Sequence, residues 1–145
     1  HPDNLGDHRL GRHNNRHAVH VEMRRLDDYA IDPSRPLLIK LDVQGGEWHV
    51  LKGAEALLAR NSEVVIACEV SPLLLLEQGS SLEALTELLA SHGFEAALAG
   101  PLPLQPIGWA ALVNLFGSDR FTHADAGRDI IAFRRRDGMM RDLLA

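Results

Sequence analysis

The 145-residue chain holds one cysteine, which rules out an intramolecular disulfide. That cysteine, Cys68, lies inside an apolar run, as suits a structural thiol in a reducing, cytoplasmic compartment. Long hydrophobic runs are also missing. The stretch Leu73 to Leu76 is only four leucines, far short of a membrane span. Residues 1–17 are polar and rich in His and Arg, so they lack the apolar segment of a signal peptide. Positive charge is not in excess. A net charge of −5 argues against a general surface for nucleic acid or anionic membrane. There is no internal repeat and no linker-like stretch. The first residue is His1 rather than Met, as expected of a processed chain, a trimmed one or a fragment.

What remains is ordinary in amount. A composition of 46% hydrophobic residues can bury a core, and 24% charged residues suits a soluble surface. The length fits one domain by the usual range of roughly 100–200 residues. The organising stretch is Leu37 to Arg60. Leu37-Leu38-Ile39-Lys40-Leu41-Asp42-Val43 reads as a strand covered on both faces. Gln44-Gly45-Gly46 breaks it with a tight turn. From Glu47 the period becomes helical, with Trp48, Leu51, Ala54 and Leu58 on one face and the helix running to Arg60.

Around this unit the chain reads in order. Residues 1–17 form a polar loop; His8, His13, His17 and His20 fit no compact zinc spacing and are better read as solvated. Val19 to Met23 alternates as a short strand, and Leu26 to Ala30 as a helical turn with Asp27 or Asp28 at its N-cap. Glu63 to Val70 reads as a second buried strand, joined to the first by a parallel crossover. Ser71-Pro72 leads into Leu73–Gln78. Ser80 or Ser81 caps a helix carrying Leu82, Leu85, Leu88 and Leu89, which ends at His92-Gly93. Phe94–Leu98 is a further short strand. The three prolines of residues 100–106 exclude regular structure and suggest a surface crossing or a lid. Trp109 to Phe116 is ambiguous between helix and strand. Asp129–Phe133 is the last strand, followed by Arg134-Arg135-Arg136.

In open α/β sheets ligands lie beyond the carboxyl ends of the strands, so Asp42 and Glu69 are placed to meet them. Asp42 could serve as a base or orient an acceptor. It could equally accept backbone N–H groups from Gly45, Gly46 and Glu47. Glu47, in the first helical turn, could stabilise the helix dipole without chemistry. Paired carboxylates could also hold magnesium. Lys40 reads as a snorkelling strand residue, Trp48 as core, and His49 as an exposed helix residue or an acceptor contact.

With these residues laid out, the sequence resembles the FkbM family of S-adenosylmethionine-dependent methyltransferases. The resemblance rests on Arg25-Leu26-Asp27-Asp28, on Ile39-Lys40-Leu41-Asp42-Val43-Gln44-Gly45-Gly46-Glu47, on Leu51-Lys52-Gly53-Ala54 and on Ala67-Cys68-Glu69-Val70. Asn4-Leu5-Gly6 is similar to a loop that precedes this region in the family. Gln44 departs from the pattern, because the family usually has glutamate there. No Gly-x-Gly-x-Gly fingerprint follows a strand, and no acidic residue ends a second strand in the place that would hold the ribose.

The resemblance therefore implies a Rossmann-like class I methyltransferase α/β fold. It also implies that this chain is the C-terminal half of a mostly parallel sheet, one partial domain over residues 1–145, with the cofactor-binding strands upstream of His1. It implies S-adenosylmethionine as cofactor, with its binding residues unknown, a metal requirement left open, and O-methylation of a hydroxyl on a sugar, polyketide or similar small metabolite. The residues assigned are Asp42, Glu47 and Glu69 for catalysis, and Asn4 and His49, with Asp7, for the acceptor. On this reading the 145 residues alone are inactive. The alternative is a non-catalytic, truncated α/β module acting through protein association, including self-association through the sheet edge beside Leu37–Val43. A metal-dependent hydrolase is a poor third reading.

Overall fold

The computed structural model describes residues 20–117 and 127–134. The polar opening segment with Asn4, Asp7, His8, His13 and His17 lies outside them, as do Arg135 and Arg136. The helical reading from Glu47 holds, but as two helices: α1 is Glu47–Lys52 and α2 is Glu55–Arg60. Gly53 ends α1, and the reason comes from a distant segment. The Asp27 N–H donates to Gly53 O at 2.9 Å, and a Cβ on Gly53 would lie 3.5 Å from Arg25 Cα. The 3-10 turn Leu26–Asp28 therefore docks where the helix breaks.

Its Asp27 then acts on α2. Asp27 Oδ1 accepts the Leu57 N–H at 2.8 Å and Oδ2 the Ala56 N–H at 3.3 Å. Those are two of the orphan donors every helix start leaves unpaired. Asp27 or Asp28 was expected at the N-cap of this turn; Arg25 holds that position, and Asp28 reaches back from the third helical residue to accept the Arg25 N–H at 3.3 Å. The alternating segment from Val19 to Met23 forms no strand over its described residues.

Five strands form one sheet among the described residues: β1 Leu37–Leu41, β2 Val64–Val70, β3 Glu95–Leu98, β4 Pro106–Ile107 and β5 Arg128–Phe133, in the order β1-β2-β5-β3-β4. β1 and β2 pair in parallel, as the crossover predicts, with Ile39 opposite Ile66 and Leu41 opposite Cys68. The mostly parallel sheet is corrected here. β5 inserts antiparallel between β2 and β3, and β4 runs antiparallel to β3. Pro106 sits in the two-residue β4 at the sheet's edge, where proline's missing donor costs no ladder bond.

The remaining helices are α3 Pro72–Glu77, α4 Leu82–Ser91 and α5 Trp109–Phe116. Ser81 caps α4, its hydroxyl accepting the Ala84 N–H at 3.1 Å. Residues of all five helices bury against the sheet face carrying Leu41, Ile66, Cys68, Ile130 and Ala132. The opposite face holds a smaller cluster of Val65, Ala97, Leu104 and Phe133. Leu38 and Lys40 project on that second face, and Leu38 is 66% exposed. β1 is thus covered on one face rather than two among the described residues, and no described strand pairs with its outer edge.

Arg134, just past β5, joins the far ends of the helices to the sheet. Its guanidinium donates to Leu58 O at 2.7 Å, Asn61 O at 2.6 Å and His92 O at 3.1 Å. It also lies 4.4 Å from the centre of the Phe94 ring. The fork of donors meets the last carbonyls of α2 and α4, where a positive charge complements the helix dipoles.

Candidate active site

Register brings the acids together. Asp42 directly follows Leu41, whose partner is Cys68, so it lies beside Glu69; Glu69 in turn pairs with Asp129. Three carboxyl groups therefore run in a row across the carboxyl ends of β1 and β2 and the start of β5, on the face away from the helices. Lys40, two residues before Asp42 on the same face, places Nζ 3.7 Å from Asp129 Oδ1. Its cation has a partner in this row instead of only snorkelling to solvent. Asp129 is a residue sequence reasoning passed over. The signal was an acid opening an apolar strand, and only the register gives it meaning.

The row has a definite electrostatic order. Burial pushes the Glu69 carboxyl above its ordinary range. A hydrogen bond with Asp42 and the negative charges of Asp42 and Asp129 push the same way, with Lys40 opposing. Two neighbouring carboxylates repel, so charge on either one disfavours charge on the other. Glu69 packs on Gly127, where a Cβ would stand 3.2 Å from Glu69 Oε1.

The turn after β1 separates Asp42 from Glu47. Glu47 is 1% exposed, and its Oε1 accepts the Val43 N–H at 3.3 Å and the Gly45 N–H at 3.2 Å. Oε2 is buried and finds no partner among the described residues. The backbone-holding duty considered for Asp42 thus falls to Glu47. Asp42 is exposed, and its Oδ1 accepts the Gln44 side-chain amide at 3.2 Å. Gln44 adopts the left-handed conformation at φ 52°, unusual for a residue with a Cβ.

The other assigned residues divide. His49 is exposed on α1, its ring edge-on to Trp48 at 5.1 Å, and Trp48 packs against the main core. Among the described residues neither has a hydrogen bond, ion pair or ring contact with the acidic row. Asn4 lies outside the described residues. Cys68 is fully buried, and burial followed by the nearby Glu47 charge pushes its thiol far up, so it is inert. Among the described residues no three His, Cys, Asp or Glu side chains come together to hold a metal ion.

This strand–turn–helix agrees with one family. Residues 2–96 match the family described as Methyltransferase FkbM domain, more than half of the 145 residues. The chain belongs to the FkbM methyltransferase family. No curated protein and no solved structure matches it. The α/β architecture with a mixed sheet is compatible with an FkbM methyltransferase. The matched span holds Asp42, Glu47 and Glu69 and stops before Asp129. Among the described residues no helix is long and apolar enough to cross a membrane.

Membership implies S-adenosylmethionine as methyl donor, and the described residues can be tested against it. A cradle needs an open glycine turn after a strand. The turn after β1 is closed: a Cβ on Gly45 would lie 2.2 Å from Leu74 O of α3. The turn after β1 therefore does not offer the cofactor's cradle.

Proposed function

We propose that this chain takes part in O-methylation of a small hydroxyl-bearing metabolite, such as a sugar or polyketide. Asp42 would take the proton from the acceptor hydroxyl. Glu69 would hold its own proton against Asp42 and keep it oriented. A class I, Rossmann-like arrangement is the fold this reading assumes, with the cofactor cradle supplied by residues beyond the described ones.

The observation that supports the reading most is the side-by-side placement of Asp42 and Glu69 at the carboxyl ends of adjacent parallel strands, with Asp42 exposed and the Glu69 carboxyl pushed above its ordinary range. General bases work by hydrogen-bond reach and a suitably tuned neighbour. Glu47 is left with a positioning role: it holds the turn that aims Asp42. His49 stands apart from the acidic pair, exposed on α1 against Trp48, and would meet the acceptor only from that side.

The test is product analysis. The natural gene product would be incubated with carbon-13 methyl-labelled S-adenosylmethionine and a panel of sugars, hydroxylated polyketides and amines. The reading expects the labelled carbon to carry the chemical shift of a methyl ether. Label found only on nitrogen, or no transfer with hydroxyl acceptors, would contradict it.

A further inference from the structure

The end of β1 offers hydrogen bonds of both kinds within one short reach. Asp42 is exposed, and the half-buried Gln44 places its amide nitrogen 3.2 Å from Asp42 Oδ1. A side-chain amide holds two N–H donors and an acceptor oxygen. The contact with Asp42 uses one donor. The second N–H and the carbonyl oxygen make no other hydrogen bond among the described residues. Gln44 can therefore bind a hydroxyl, which both donates and accepts, while it stays on Asp42.

The turn holds Gln44 in place from two sides. Its backbone is left-handed at φ 52°, and the N–H groups of Val43 and Gly45 on either side of it both donate to the buried Glu47 Oε1. On the other side α3 closes in, where Leu74 O leaves no room for a Cβ on Gly45. A left-handed residue that carries a side chain persists only where its surroundings impose it, and such residues gather at ligand sites.

We propose that Gln44 is the specificity residue of this site and binds a second hydroxyl, on the carbon next to the one that is methylated. The inference rests on the reading of Asp42 as the group that meets the acceptor, and it narrows that acceptor to a vicinal diol, as in a sugar. The 3.2 Å between the Gln44 amide and Asp42 is close to the separation of the two oxygens of a gauche diol. One hydroxyl then lies on Asp42 while its neighbour lies on the amide. Lys40, the nearby cation, is engaged with Asp129 instead.

The experiment measures affinity, with turnover alongside. The natural gene product, in the presence of S-adenosylhomocysteine, is titrated by ligand-observed NMR with methyl glucoside and with its analogues that each lack one ring hydroxyl. The parent is expected to bind methyl glucoside about tenfold more tightly than at least one of these analogues. Gln44→Gly removes the amide while suiting the left-handed backbone, and it is expected to erase most of that difference. Gln44→Glu keeps the reach but loses the N–H donors, and it is expected to keep only part of it. A merely structural role would lower the melting temperature and weaken every sugar alike. That result, or a parent that binds all of these sugars equally or none of them, would overturn the assignment. A diol preference without methyl ether formation would sink O-methylation and leave the diol site standing. Methyl ethers formed as readily on an isolated hydroxyl as on a diol would do the reverse.

Discussion

Asp27 Oδ1 accepts the Leu57 N–H at 2.8 Å, so an acid in a single 3-10 turn caps a helix that begins about thirty residues later. Burial pushes its carboxyl up, but the hydrogen bonds from Leu57 and Ala56 and the nearby Arg25 more than offset this and leave it below the ordinary range. A depressed folded value means stability that is complete above the unfolded value and is lost as pH falls through the folded one. Asp27→Ala is expected to cost about 1 kcal/mol at neutral pH, a normal capping loss. Urea unfolding at neutral and acidic pH checks this. The gap between parent and variant should narrow in acid.

Two of the left-handed glycines, Gly45 and Gly93, are expected to respond differently to the same substitution. A Cβ on Gly45, at φ 98°, would overlap Leu74 O and Leu74 C at 2.2 and 2.5 Å. Gly93, at φ 77°, has nothing within 4 Å. Gly93→Ala should therefore cost only the left-handed backbone penalty, about 1–2 kcal/mol. Gly45→Ala must also displace α3 and should cost about 2–4 kcal/mol. Denaturation midpoints of the two variants give the comparison directly.

Arg134 meets three carbonyls at 2.6 to 3.1 Å with one planar group. A lysine ammonium cannot reproduce that fork or its stacking on Phe94. Arg134→Lys is expected to lose about 2 kcal/mol, in line with charged hydrogen bonds. Hydrogen exchange should show the loss at the ends of α2 and α4 before the sheet opens.

Glu69 carries the opposite pH sign to Asp27. Its folded value is raised, so its contribution is complete below the unfolded value of about 4.3 and is lost as pH rises through the folded one. Glu69→Gln keeps the neutral form at every pH. Its stability relative to the parent is expected to increase as pH climbs from the ordinary glutamate range toward neutrality. A difference that stays flat over that window would contradict the raised Glu69 value.

Much of the fold was legible because it is local. The period change at Glu47, the Ser81 cap and the helix stop at His92-Gly93 are each written within a few residues. The turn residues placed Asp42 and Glu69 at strand ends without knowledge of the sheet. What was not legible depends on contacts distant in sequence. Asp129–Phe133 reads as a strand in isolation, but its alternation carries no direction, so the antiparallel insertion beside β2 was invisible. The break at Gly53 depends on the turn at Leu26–Asp28 packing against it. Glu47 reads like any acid opening a helix; its burial, and with it the turn-holding duty expected of Asp42, follows from how the whole fold closes over the start of α1. Asp42 and Glu69 were placed from strand ends, but Asp129 and Lys40 joined them only once the register was known.

The measurement that bears most directly on the central claim is methyl transfer by the natural gene product and its Asp42→Asn variant, with S-adenosylhomocysteine affinity measured on both. Asparagine keeps the shape and still accepts the Gln44 amide, but it cannot take a proton. The account expects kcat to fall about 10²- to 10⁴-fold, the range for losing a general base, with the affinity unchanged. Asp42→Asn turnover at the parental rate would contradict it, and the search for the base would then move to residues beyond the acidic row.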